Sequence, residues 1–343
     1  QGSLVFLVSG LAVLGYASSL STQSTYQGVV REVCGTAVGK LCEVCFILNL
    51  FMISVAFLRV VGDQLEKCES PHGEEPSLQH WYADQRFTLS ALCVLVIFPL
   101  SVPKEIGFQK YSRYPGRGSS TWPRQPGAEL RASSWASMFS VIPTICFGFQ
   151  VTLPAHRPSW AMGQVAGAAG AQGRCLQLPW GLYGYLTFGE DVAADILMSY
   201  PGNDAVVIVA RLLFGISIVT IYPIVVLLGR SVVRDMWVNP KRGAVPVAEA
   251  HEQRTRVVLT VSWIAATLAI ALFVPDIGKV IGLIGGISAF FIFIFPGLAG
   301  LTAAGRSPRR AALLTWGILS VLCGAFVCGQ STAGAAMELL HRA

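Results

Sequence analysis

The stretch SMFSVIPTICFGF, residues 137–149, is apolar enough to lie in a membrane and is interrupted by Pro143 and Gly148. Proline removes a backbone donor and its ring presses on the preceding turn, so a helix through this segment opens near Ile142. Inside a bilayer, freed carbonyl and amide groups are tolerated only where they face protein or a water-filled cavity. Ser140, Thr144 and Cys146 put small polar groups into the same turns. From these residues alone two readings stand. The segment is a kinked structural helix, or it is an interrupted helix lining a solute cavity in a helical bundle.

The surrounding chain supplies the class. Of its 343 residues, 53% are hydrophobic and only 13% charged, with a mean hydropathy of +0.57. Soluble domains carry about 25% charged residues, so this chain lacks the polar surface of a globule. Several apolar runs reach the ~20 residues needed to span a bilayer. They are continuous rather than alternating, which disfavours a β-barrel. The expected fold is an all-α polytopic membrane protein forming one transmembrane domain over 1–343. Spans are expected at 4–20, 37–61, 87–102, 136–152, 205–228, 257–274, 281–301 and 311–328. Residues 154–179 are Gly/Ala-rich and weakly apolar and 180–188 resume a membrane-like pattern, so a span over 160–188 is left open. Residues 104–131 mix Lys and Arg with Pro, Gly and Ser and read as a basic, disordered loop.

Charge orients these spans. The net charge is +6, and most loop cations fall in 104–131, 230–256 and 306–310. Cytosolic loops carry an excess of Lys and Arg, so these three belong inside, the acidic 63–86 loop outside and the C-terminus outside. The third span then ends inside while Ala205 starts outside, so an odd number of crossings lies between 104 and 204. This distribution accounts for the charge without a nucleic-acid partner.

The ionisable residues within spans have bland readings. Arg59 and Glu43 lie near opposite ends of the second span and snorkel to the interface. Arg211, about two turns into its helix, snorkels outward or pairs with a carboxylate in the pathway. Cys42-x-x-Cys45 copies a redox or zinc spacing. It sits inside a spanning helix without a second ligand pair, so these cysteines pack. No paired catalytic carboxylates, histidine cluster or phosphate loop occurs, so the chain does not read as an enzyme.

Longer stretches carry a family resemblance. WYADQRFTL (81–89), PLSVPKEIGFQKY (99–111), PTICFGFQ (143–150), YGYLTFG (183–189) and DILMSYPGNDAVVIVARLLF (195–214) are similar to segments of the sodium-coupled neutral amino acid transporters, within the amino acid/auxin permease superfamily. So are TIYPIVVLLGRSVV (220–233), PDIGKVIGLIGGISAFFIFIFPGL (275–298) and GQSTAG (329–334).

This resemblance implies a LeuT-like inverted repeat of eleven helices. Leu4–Leu20 resembles family helix 2, 37–61 and 87–102 resemble helices 3 and 4, the broken stretch helix 6, and the last four spans helices 8 to 11. Family helix 1 has no counterpart, the place of helix 5 is taken by Pro/Gly/Arg-rich sequence, and the outer part of helix 7 is replaced. The resemblance therefore implies an incomplete bundle lacking helices 1 and 5 and part of 7.

The function implied is sodium-coupled movement of a neutral, glutamine-like amino acid across the plasma membrane. The alternative is a truncated, transport-incompetent chain. No cofactor is implied beyond sodium as the coupling ion; the partners are the amino acid, sodium and the lipid bilayer. The substrate residues implied on helix 6 are Ser140, Thr144, Cys146, Phe147 and Gly148. On helix 8, Ser217 and Thr220 are three residues apart and so share a face. They are the implied sodium ligands, because a hard cation takes oxygen donors. The competing reading is a hydroxyl bonding back to its own helix carbonyl.

Overall fold

A computed structural model describes residues 2–19, 21, 26–69, 85–103, 186–189, 195–200, 205–238, 249–274, 277–306 and 310–340. In chain order its longer helices are α1 (Gly2–Ser19), α2 (Tyr26–Cys34), α3 (Thr36–Glu69), α4 (Gln85–Leu92), α5 (Phe98–Ser101), α6 (Ala205–Val238), α7 (Glu249–Phe273), α8 (Ile277–Ala289), α9 (Phe295–Ala303) and α10 (Arg310–Leu340). Wide π-helical turns, Cys93–Ile97 and Phe290–Ile294, join α4 to α5 and α8 to α9, and a 3-10 turn covers Ile196–Ser199.

Among the described residues, five helical stretches are long and apolar enough to cross a membrane: Thr36–Glu66, Val206–Arg234, Gln253–Phe273, Val280–Ala303 and Arg310–Gly334. Val5–Ser18 and Arg86–Ser101 are shorter apolar helices. Among the described residues the protein is thus an all-helical, polytopic membrane protein. The expected span at 136–152, all but the last three residues of the uncertain stretch 160–188, and the basic segment 104–131 lie outside the described residues, as does the place of family helix 5.

The chain forms two compact units. The first takes its described residues from Gly2–Asn49 and Gly278–Leu340. Its central element is the α8–α9 stretch: 67% of that span's apolar window is buried, against 22% for α10. In lipid, helices gain little from burying apolar surface against each other, so close backbone approach and interhelical hydrogen bonds decide the packing. At the α9–α10 crossing a Cβ on Gly297 would meet Val321 Cγ2 at 2.8 Å, and one on Gly317 would meet the Gly297 carbonyl oxygen at 2.9 Å. A Cβ on Gly286 of α8 would lie 2.5 Å from Ser331 Oγ, which donates to the Gly282 carbonyl at 2.8 Å.

The π turn in this unit has a sequence cause. Pro296 has no N–H for the Ile292 carbonyl, and the chain widens so that the Phe295 N–H reaches back to the Phe290 carbonyl. Side chains satisfy the loosened backbone. Tyr26 Oη donates to the Phe291 carbonyl at 3.2 Å and Ser320 Oγ to the Phe293 carbonyl at 2.9 Å. Gly10 of α1 approaches the Ile292 carbonyl so closely that a Cβ would lie 3.2 Å from it. Around this turn pack Phe291, Phe295, Val30, Cys42 and Cys45. The two cysteines are free and buried, in keeping with the packing role read from their setting.

The second unit takes its described residues from Leu50–Pro103, Leu186–Gly189, Asp195–Tyr200 and Ala205–Ile277. The same local event recurs in it. Pro99 follows the π turn Cys93–Ile97, and the Phe98 N–H reaches the Cys93 carbonyl. Helices α6 and α7 run antiparallel, because Tyr222 Oη meets Thr267 Oγ1 at 2.8 Å while Arg230, two turns on, meets Thr260 Oγ1 at 3.0 Å. Between these contacts the Trp263 indole crosses Gly229, where a Cβ would lie 2.5 Å from Cη2. Trp263 Nε1 donates to Ser54 Oγ of α3 at 3.1 Å, and Phe51 sets its ring edge-on to the indole at 5.4 Å.

Candidate functional site

The expected substrate residues Ser140, Thr144, Cys146, Phe147 and Gly148 lie outside the described residues. The sodium candidates are described. Helix α6 turns one stripe inward, Val207, Arg211, Ile218, Tyr222, Val226 and Arg230, at the three- and four-residue spacing of a helix face. Ser217 and Thr220 lie on the opposite, exposed side. Thr220 Oγ1 donates to the Ser217 carbonyl at 2.7 Å, which is the back-bonding alternative in its literal form. The proton of that hydroxyl is engaged, yet its lone pairs stay open to a cation.

Pro223 bears on the same turn. It lies inside α6 and has no N–H to offer the Val219 carbonyl. Two hydroxyls and one released carbonyl therefore occupy adjacent positions of one turn. That donor set suits a hard monovalent cation.

The described structure adds a polar cluster in the second unit that the sequence reading did not assemble. Arg211 does not snorkel: it is wholly buried, and Nη2 donates to the carbonyls of Leu197 and Tyr200 at 2.9 Å each. Those carbonyls lie at the C-terminal end of the turn Ile196–Ser199. Asp195 serves the other end, its Oδ1 accepting from the Leu197 N–H at 3.1 Å. A carboxylate at the amide end and a guanidinium at the carbonyl end complement the dipole of the turn.

Asp195 Oδ2 also accepts from Gln64 Nε2 of α3 at 2.5 Å. One residue before Gln64, Asp63 pairs with Arg59, one turn away, at 2.8 Å. Phe188 meets Tyr200 edge-on at 4.8 Å. The segment Asp195–Tyr200 is thus held to α3 through Gln64 and to α6 through Arg211. Buried Arg211 Nε and Nη1 and Gln64 Oε1 have no partner. The sequence signals were present: an Asp opening a short apolar turn that Tyr200-Pro201 closes is a capped turn.

A family model for transmembrane amino acid transporter proteins matches residues 3–114 and 131–338. The chain belongs to the transmembrane amino acid transporter family. Within that family the human protein named solute carrier family 38 member 8 is 51% identical over 98% of this chain and 85% of its own length. The mouse and zebrafish proteins named sodium-coupled neutral amino acid transporter 7 are 42% and 40% identical, over 98% and 97% of this chain and 79% and 78% of their own lengths. Family membership fits the resemblance read from the sequence. A member of the transmembrane amino acid transporter family is a membrane carrier, not an enzyme.

Proposed function

We propose that the protein carries a neutral, glutamine-like amino acid across the plasma membrane in company with sodium. The reading rests on one observation above the rest: chains named sodium-coupled neutral amino acid transporters align with nearly all of this one at about two-fifths identity. Geometry adds support at Ser217 and Thr220, an oxygen-bearing turn beside Pro223 on the exposed face of α6. In this reading Ser217 and Thr220 contribute ligands to sodium. Ser140, Thr144, Cys146, Phe147 and Gly148 line the amino acid site, where a broken helix offers amide and carbonyl dipoles to a zwitterion. The bundle is a LeuT-like inverted repeat with the C-terminus outside.

Competition for labelled glutamine uptake into proteoliposomes tests the substrate class. Unlabelled neutral amino acids with amide or small polar side chains compete, whereas glutamate and lysine do not. Equal competition by glutamate would overturn the assignment to neutral substrates. A folded protein that takes up no amino acid at all would favour the alternative, a membrane protein that packs but does not transport.

A further inference from the structure

We propose that the ends of α6 and α7 around Arg230 form a binding site for the phosphate of an anionic phospholipid headgroup. Three helix ends meet there. Arg230, only 6% exposed, donates Nη1 to the Ser101 carbonyl at 3.3 Å and to Thr260 Oγ1 at 3.0 Å, and Nη2 to the Pro103 carbonyl at 3.3 Å. It therefore ties the C-terminal end of α5 to α6 and α7.

Two more arginines stand beside it. Arg234 lies one turn further along α6, and Arg256 one turn before Thr260 on α7; both are near enough to act on Arg230 by charge repulsion. Thr260 Oγ1 joins the two sides, accepting from Arg230 and donating to the Arg256 carbonyl at 2.8 Å.

Arg256 Nε is buried and has no partner. Among the described residues its guanidinium makes no hydrogen bond and neither it nor Arg230 makes an ion pair. Like charges gathered in a partly buried place, with an unbonded guanidinium among them, are costly unless an anion joins them. Planar guanidinium groups hold phosphate oxygens through paired N–H donors, which suits the vacant donors of Arg256.

Depth selects the source of the phosphate. The apolar span of α6 ends at Arg234, that of α7 begins at Gln253, and the apolar helix through α5 ends at Ser101. Arg230, Arg234 and Arg256 therefore stand where hydrocarbon gives way to headgroups, the level at which lipid phosphates lie. Basic pockets between helices at this level take anionic headgroups.

The test uses the full chain in nanodiscs of phosphatidylcholine alone or with added phosphatidylinositol bisphosphate, read by native mass spectrometry of retained lipid and by thermal melting. The wild type retains the anionic lipid and melts higher in its presence. Arg256→Gln, which removes no hydrogen bond that holds the fold, lowers the lipid affinity about fivefold. Arg310→Gln, at an exposed cation on α10, leaves it unchanged. Millimolar inorganic phosphate does not displace the lipid. Equal retention by wild type and Arg256→Gln, an equal loss in Arg310→Gln, or displacement by inorganic phosphate would each overturn the proposal.

Discussion

Replacing Arg211 with methionine keeps the apolar stem and removes the guanidinium that holds Asp195–Tyr200 to α6. The structure supplies both sides of the energy balance. Two bonds from a charged donor, each 2.9 Å long, are lost. At about 1.5–3 kcal/mol apiece they amount to about 3–6 kcal/mol. Against this, buried Nε and Nη1 lack partners in the wild type. Each such orphan costs about 1–3 kcal/mol, so removing them returns about 2–6 kcal/mol. The midpoints, about 4.5 against about 4 kcal/mol, nearly cancel, so global stability changes little although a wholly buried arginine is lost.

The local effect is different. With no donor in place, the carbonyls of Leu197 and Tyr200 are satisfied only if the segment opens to water. Amide exchange followed by mass spectrometry reads this directly at Leu197, whose N–H is held by Asp195, and at Met198, whose N–H bonds the Asp195 carbonyl at 3.0 Å. Protection over 197–200 falls by about a hundredfold in Arg211→Met, equivalent to about 2.7 kcal/mol. Arg211→Lys keeps the charge and falls between. Unchanged exchange at 197–200 would show the clamp to be idle. A general collapse of exchange protection across α3, α6 and α7 would show Arg211 to be a core support rather than a clamp.

Gly229→Ala puts a methyl 2.5 Å from Trp263 Cη2 and lowers stability by about 1–3 kcal/mol, read as a lower melting temperature; Trp263→Leu in the same chain removes most of that overpacking term. Burial, with smaller contributions from Cys42, Cys34 and Cys45, holds the Tyr26 hydroxyl well above the ordinary tyrosine value of 10.0. The unfolded chain therefore loses this proton near pH 10 while the folded chain keeps it. Tyr26 contributes full stability below that pH, and the contribution falls by up to about 1.4 kcal/mol per unit above it. Tyr26→Phe melts at a more nearly constant temperature across the alkaline range, and an unaltered slope would contradict the assignment. Ser217→Ala raises the sodium concentration for half-maximal uptake about tenfold, with little change in saturating uptake, if its hydroxyl is a cation ligand.

The fold was legible where physics leaves few choices. Apolar runs of about 20 residues with charges banked at their ends specify spanning helices, because a bilayer accepts little else. The breaks were legible only in part. Pro143 and Pro296 both lack a backbone N–H, but only the first has Ser140, Thr144 and Cys146 beside it in the sequence. The described break at Phe290–Ile294 is answered by Tyr26 and Ser320, residues far away in sequence, so the stretch FFIFIFP alone could not reveal it. Arg211 was misread for a related reason. Snorkelling is the local solution for a lone arginine, whereas its actual partners are carbonyls supplied by a folded turn 11 and 14 residues earlier. Residue type shows that Asp195 can cap a turn; only the fold shows that Gln64 and Arg211 hold that turn from two helices. At Ser217 and Thr220 the shared face follows from spacing, while the exposure of that face depends on which stripe of α6 packs inward.

The central claim is that a sodium gradient drives amino acid movement through this chain. Purified protein in proteoliposomes loaded with potassium, given labelled glutamine in a sodium buffer, measures it. Uptake should rise above the level without a gradient and collapse when external sodium is replaced by potassium or when the gradient is dissipated with an ionophore. Uptake of equal size and rate with and without the sodium gradient would contradict the account.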